Sequence, residues 1–83
     1  MTRLFVDPLP ARLEWRDGEL CSLRVADRRM VVVEVMRRWR VEGEWWADGV
    51  SRDYLTLRTA DGLMVDVYGD RRTGSWWLQR MFD

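Results

Sequence analysis

The sequence predicts an all-β fold: an antiparallel meander of six to seven short strands that forms a small barrel or a strongly curved sheet. Apolar residues alternate with polar ones along most of the chain, which is the period of a strand with one buried face. The alternating runs are rich in valine and tryptophan, which strands favour. Asp-Gly pairs, which are typical of tight turns, separate runs at positions 17–18, 48–49 and 61–62.

The strand boundaries follow from these runs and the breaks between them. A short N-terminal strand over residues 3–6 should end before Pro8 and Pro10, because proline has no N–H to donate to a sheet. Seven short strands with one apolar face favour a barrel, since closure removes unprotected edges. The chain therefore forms a single domain over residues 1–83, and its further strands are expected near 11–16, 19–26, 29–41, 51–59, 63–68 and 75–82.

A single rule of register accounts for the three Asp-Gly turns. Two-residue hairpins would set apolar residues against charged ones, whereas three-residue loops ending in glycine pair residues of equal parity. All inward positions are then odd-numbered, so Cys21 should be buried. The expected pairs are Leu13 with Cys21, Ala11 with Leu23, Leu57 with Val65, Leu55 with Val67, Glu44 with Arg52, and Val41 with Leu55.

The longest run, over residues 31–41, should be a strand that bends and contributes to both halves of a barrel. Arg37 interrupts its apolar face, so we expect a β-bulge there. Arg38 and Arg40 should point outwards, while Trp39 points inwards on the side of Arg37. The residues predicted to face inwards are Val31, Val33, Val35, Trp39 and Val41.

A helix over residues 32–46 is the competing interpretation of the same run. Val32, Met36 and Trp39 have helical spacing. The run of valines and Gly43 disfavour a helix, since β-branched residues and glycine have low helix propensity.

Composition excludes several classes of chemistry. The 83 residues include 14 arginines and 14 acidic residues, so the formal net charge is zero, and there is no lysine or histidine. Without histidine, the commonest general base and metal ligand is missing, and the single Cys21 allows no internal disulfide. We expect a non-enzymatic, cytoplasmic protein without metal, cofactor, signal peptide or membrane span.

Arginines beside aromatic residues form the candidate interaction surface. The run at positions 37–40 reads Arg-Arg-Trp-Arg, and one member of each of the pairs Trp45-Trp46 and Trp76-Trp77 should lie outside, with Trp46 the outer one of its pair. Three interpretations remain open: a solvated face, a surface for a protein partner or a second copy, and a platform for single-stranded nucleic acid. The candidate residues are Arg37, Arg38, Arg40, Trp46, Arg52, Tyr54, Arg71 and Arg72.

Several motifs of the chain occur together in a known group of bacterial domains. They are RMVVVEVMRRWR at 29–40, GEWW at 43–46, RDY at 52–54, WWL at 76–78 and FD at 82–83. In this order the motifs resemble a small family of bacterial domains of unknown function. A related pattern ends the mutasome subunit that is similar to a Y-family DNA polymerase but lacks its catalytic residues.

The resemblance covers roughly residues 11–83, and it implies a setting in DNA repair or translesion-polymerase assemblies. The chain departs from the family at Leu55, which follows Tyr54 where the family often has a second aromatic residue. The resemblance carries over no catalytic residue.

Overall fold

The computed structural model of this chain, which describes residues 3–43 and 50–82, is a closed barrel of antiparallel strands. Each strand pairs with the next along the chain, and β1 pairs with β6 to close the barrel. The predicted all-β meander is confirmed, and within its described part the alternative helix over 32–46 is a strand. The strands are β1 (Arg3–Arg16), β2 (Glu19–Val25), β3 (Arg28–Glu42), β4 (Ser51–Thr59), β5 (Met64–Asp70) and β6 (Trp76–Phe82).

The core lies inside the barrel and is built mainly from alternate residues of β2, β4, β5 and β6. Register partners on neighbouring strands share a face, so the pairing of Leu55 with Val67 and of Val67 with Leu78 forms a continuous inner row. The fully enclosed apolar side chains are Leu23, Leu57, Val65, Val67 and Leu78.

The hairpin between β4 and β5 confirms the predicted register. Leu57 lies opposite Val65 and Leu55 opposite Val67. The Thr59 N–H donates to the Leu63 carbonyl at 2.8 Å, and Gly62 has a φ of 85°, a left-handed conformation that glycine adopts without strain.

The register predicted for the first hairpin is wrong by two positions. Leu13 pairs with Leu23 instead of Cys21, and Ala11 pairs with Val25 instead of Leu23. Asp17 and Gly18 both have positive φ, as a type I′ two-residue turn requires. Leu20 pairs with Trp15 and Ser22 pairs with Glu14, so Cys21 is an extra residue that forms a β-bulge. Beyond the bulge, paired residues again have equal parity, as predicted. Cys21 itself is only half-buried, contrary to the prediction.

The predicted break at the two prolines is also wrong, because β1 runs from Arg3 through both of them. Pairing between β1 and β2 begins only at Ala11, so the strand is paired on one side at most where the prolines lie. Pro8 also falls within the irregular stretch of the β1–β6 pairing between Leu4 and Leu9. A missing N–H is tolerated at such positions. The two strands predicted at 3–6 and 11–16 therefore form one strand, and the structure describes six strands instead of seven.

The parity predicted for β3 is wrong along most of the strand. A two-residue turn pairs Val25 with Arg28, so Met30 becomes the buried residue, while Val31, Val33 and Val41 are exposed. Val35, in contrast, packs against the core as expected. The β-bulge expected near Arg37 is confirmed, since the register shifts between Val35 and Arg37 and, earlier, between Val32 and Glu34.

The pairing of β3 with β4 also differs from the prediction. Val41 lies opposite Arg52, and Leu55 lies opposite Arg38. The Gly43 N–H donates to the Val50 carbonyl, which continues the same register to the last described residue before position 44. The predicted turn at 47–49, and with it Glu44, Trp45 and Trp46, lies outside the described residues, and Arg52 pairs with Val41 rather than with Glu44.

Candidate interaction surface

The outer wall of the barrel carries a row of stacked aromatic rings across β3, β4 and β5. Trp39 lies opposite Tyr54, and Tyr54 lies opposite Tyr68. The Trp39 and Tyr54 rings are nearly parallel, with centroids 5.1 Å apart, and those of Tyr54 and Tyr68 are 5.4 Å apart. The next residue along β4, Leu55, is buried in the core, so these rings line the outer face. Trp39 therefore faces outwards, contrary to the prediction.

Two arginines lie over this aromatic row, and neither forms an ion pair with a carboxylate of residues 3–43 or 50–82. The Arg37 guanidinium carbon is 4.5 Å from the Trp39 ring centroid, and that of Arg52 is 4.5 Å from the Tyr68 ring centroid. Arg52 also donates to the Tyr54 hydroxyl, which raises the pKa of its guanidinium. These cation–π contacts and the stacked rings reinforce the outer wall.

A second feature of the surface is a row of exposed apolar side chains on β3, which we call the β3 apolar row. Its members are exposed over 44% (Val31), 54% (Val33), 46% (Met36) and 40% (Val41) of their surface. Val33 and Met36 are the extra residues of the two bulges and have no partner on β4. The two bulges thus expose both side chains to solvent. On a regular strand, Val33 and Met36 would point to opposite faces.

A third feature is an ion-pair network at the barrel end where β3 ends and β4 begins. Arg40 donates to the Asp53 carboxylate at 2.8 Å, which raises the pKa of the Arg40 guanidinium. Arg71 reaches both Glu42 at 3.2 Å and Asp53 at 3.9 Å. Arg40 shares the face of Leu55 at the barrel end, whereas Arg37 lies on the outer wall, so both arginines have the orientation opposite to the predicted one.

Beside this network, β2 and β3 diverge and leave a cleft. Their pairing covers only Ser22–Val25 with Arg28–Val31. A cavity of about 320 Å³ separates the tip of the β1–β2 hairpin from Val32–Val35 and Arg38 of β3. A second cavity, of about 260 Å³, adjoins it at the barrel end and shares Trp15, Gly18 and Arg38. Arg38 therefore lines the cleft, contrary to the predicted outward position.

The structure divides the candidate residues into two groups. Arg37, Arg52 and Tyr54 meet on the outer wall, whereas the arginines at 38, 40 and 71 gather at the barrel end. Arg72 lies in the turn after β5, where its main-chain N–H donates to the Asp70 carboxylate at 2.9 Å. Trp46 is outside the described residues.

Sequence reasoning did not select the apolar residues at the bulges or the indoles that line the cleft. Trp15 is 49% exposed and lines both cavities, and Trp76 lines the second one and covers Gly69. The Asp-Gly pair at 17–18 could have indicated that Trp15 is exposed. Asp-Gly favours a type I′ turn, and such a turn places Trp15 near the tip of a two-residue hairpin.

Together these features define a small closed β-barrel whose third strand carries both the exposed apolar residues and the cleft. Comparisons with protein-family models, curated proteins and solved structures gave no match for this chain. Across residues 3–43 and 50–82, no group of three or more Cys, Asp or Glu side chains is arranged to hold a metal ion. The same residues contain no helix of the length and apolarity needed to cross a membrane.

Proposed function

We propose that this chain is a non-enzymatic protein-interaction module that binds an extended segment of a partner along β3. One observation carries the proposal: four of the six large apolar side chains exposed in the described part of the chain belong to β3. Exposed apolar residues scattered singly are normal, whereas a row of them along one element is typical of an interaction site.

The backbone of β3 supports the same proposal. Among the described residues, no strand pairs with β3 on the β2 side beyond Val31, although β3 continues to Glu42. A strand edge of this kind presents unpaired N–H and C=O groups, which an extended peptide can pair by adding a strand to the sheet. The regular part after the second bulge, at positions 37–42, offers about 20 Å of strand at ~3.3 Å per residue. The two bulges and the arginines limit pairing with unspecific strands.

Binding of single-stranded nucleic acid is the alternative, and the aromatic row is the feature that bears on it. Bases stack on open ring faces. Trp39 is contacted over its ring by both Arg37 and Tyr54, and Tyr68 is buried beneath Arg52. Because those ring faces are already occupied, the geometry favours a protein partner. The sequence resemblance makes DNA-repair and translesion-polymerase assemblies the setting in which to seek that partner.

The proposal is tested by selecting displayed random peptides on immobilised wild-type protein and measuring their affinities by fluorescence anisotropy. The test variant is Val33→Asp/Met36→Asp, and the control is Arg12→Ala/Thr73→Asp, which lowers the net charge equally at exposed positions away from β3. Selected peptides should bind the test variant at least about tenfold more weakly, ~1.4 kcal/mol, and the control unchanged. Failure to select any peptide, or equal affinity for the test variant, would overturn the proposal.

A titration with a single-stranded oligonucleotide tests the alternative on the same preparation. Tryptophan fluorescence should not change in a salt-dependent way, since the chain has no net charge to attract phosphates. Quenching that weakens as salt is raised would transfer the function to nucleic-acid binding.

A further inference from the structure

Arg38 lines the cleft beside β3, and in the first cavity it does so together with Glu19 and Glu34. Two neighbouring charges of the strand are paired within the chain: Glu34 with Arg58 at 2.7 Å, and Arg40 with Asp53 at 2.8 Å. Within the described part of the chain, no carboxylate forms an ion pair with Arg38. The second cavity, which Arg38 shares with Arg40 and Asp53, therefore has one more positive than negative group.

The walls of that cavity suit a single acidic side chain. Indoles of Trp15 and Trp76 and the side chain of Leu55 line it beside Arg38. Its volume of about 260 Å³ is several times the ~30 Å³ share of one water, which leaves room for a side-chain carboxylate. Apolar walls lower the local dielectric constant and strengthen a charge-assisted hydrogen bond from an arginine to a carboxylate. Glu19, the acidic side chain on the hairpin side, lines only the first cavity.

A second copy of this chain fits the β3 edge poorly. The regular part of the strand contains Arg37, Arg38 and Arg40. Antiparallel pairing of two copies centred on Arg38 or Arg40 sets each arginine against its own copy, and pairing centred on Trp39 sets Arg38 against Arg40. Pairing centred on Val41 sets Arg40 against Glu42, but both of these side chains already form ion pairs within the chain, with Asp53 and Arg71. Like charges directly opposite each other destabilise a strand pair. A strand of the opposite charge has the reverse effect.

We infer that the segment which adds to β3 is acidic and apolar in alternation, and that one of its carboxylates enters the second cavity and binds Arg38. This inference rests on the proposed function, since the added strand is what brings the carboxylate to the cavity. Apolar side chains of the same segment cover Val33 and Met36 of the β3 apolar row, which the bulges leave exposed. Arg38 provides the charge selectivity, and the strand edge provides the main-chain hydrogen bonds.

The test uses the full chain and three synthetic peptides with blocked ends. The first alternates valine with glutamate, the second replaces every glutamate by glutamine, and the third is the glutamate peptide with N-methylated valines. Binding is followed by the shifts of backbone amide resonances of β3. The glutamate peptide should bind and shift amides of residues 33–42, the glutamine peptide should bind about tenfold more weakly (~1.4 kcal/mol), and the N-methylated peptide should not bind, because it cannot complete the ladder.

Two variants test whether Arg38 is the arginine that binds the carboxylate of the peptide. Arg38→Gln should reduce affinity for the glutamate peptide about tenfold (~1.4 kcal/mol) and leave the glutamine peptide unaffected, whereas Arg12→Gln removes an arginine that lines neither cavity and should change nothing. Equal binding of the glutamate and glutamine peptides would overturn the acidic selectivity while the strand addition stands. Equal binding of the N-methylated peptide, or binding of none of the three, would overturn the strand addition as well.

Discussion

Gly69 is the position where a single methyl group tests the packing of the barrel end most sharply. It lies on β5 opposite Trp76 of β6 and opposite Asp53 of β4. A Cβ built on Gly69 would lie 2.8 to 2.9 Å from three carbons of the Trp76 indole, closer than real Cβ atoms approach a neighbour. The Gly69→Ala substitution therefore forces the indole to move, although the backbone at this position is not left-handed.

The magnitude follows from two opposing effects. Overpacking of a well-packed site costs about 1–3 kcal/mol, since a rigid indole can only shift as a whole. Replacing glycine by alanine in a strand offsets about 0.5–1 kcal/mol of this through reduced freedom of the unfolded chain. The net loss lies between zero and about 2.5 kcal/mol and is centred on about 1 kcal/mol, which corresponds to a Tm lower by about 4–8 °C for a domain of this size.

A double-mutant cycle with Trp76→Ala separates the clash from other effects. Chemical unfolding of the wild type, both single variants and the double variant gives the coupling energy between the two positions. With the indole removed, Gly69→Ala should be neutral or stabilising by up to about 1 kcal/mol. If Gly69→Ala destabilises the protein equally in both backgrounds, the described contact between Gly69 and Trp76 is wrong.

Three further predictions concern the core, a buried carboxylate and acid. Leu57→Ala, at a fully buried inner position, should lower the free energy of unfolding by about 2–5 kcal/mol in denaturant titrations, and a loss below 1 kcal/mol would contradict its place in the core. Asp66 is 4% exposed and accepts hydrogen bonds from Thr56 and Arg80. Arg80→Met should therefore lower the free energy of unfolding by about 1–3 kcal/mol, towards the smaller value because the Arg80 side chain is half exposed. An unchanged unfolding midpoint would refute this pairing. The Ser22 hydroxyl, followed by Arg29, holds the pKa of Glu14 below its ordinary value, so this carboxylate stabilises the fold above its unfolded pKa and loses that effect as pH falls through its folded pKa. Glu14→Gln should therefore lose less stability than the wild type between neutral pH and about pH 3, and an identical acid profile would refute the contribution of Glu14.

The sequence predicted those parts of the fold in which local turn chemistry and alternation agree. At the β4–β5 hairpin, Gly62 ends a three-residue loop, and the apolar residues of both strands have the parity that this loop imposes. At the β2–β3 turn no such signal exists, since Ala26 adopts a φ of 54° without being glycine or asparagine. That one turn shifted the parity at the start of β3, and the two bulges changed it again further along the strand.

The candidate surface was predicted by residue type more accurately than by orientation. Arginines beside aromatics indicated the region of β3 and β4, and the structure does bring Arg37, Arg52 and Tyr54 together. The interrupted alternation at Arg37 indicated the second bulge, but the first bulge, at Val33, and the exposure of Val33 and Met36 depend on how β3 wraps around the barrel. The cleft depends on where β2 and β3 stop pairing, which is likewise set by tertiary structure.

Amide hydrogen exchange along β3, measured by NMR on the free protein, tests most directly whether this strand has an open edge. Between Arg37 and Glu42, amides that bond to β4 should exchange slowly, and the alternate amides that face the cleft should exchange rapidly, because successive N–H groups of a strand point to opposite edges. Slow exchange at every amide of this stretch would show that its second edge is already paired, which would contradict binding of a partner strand there.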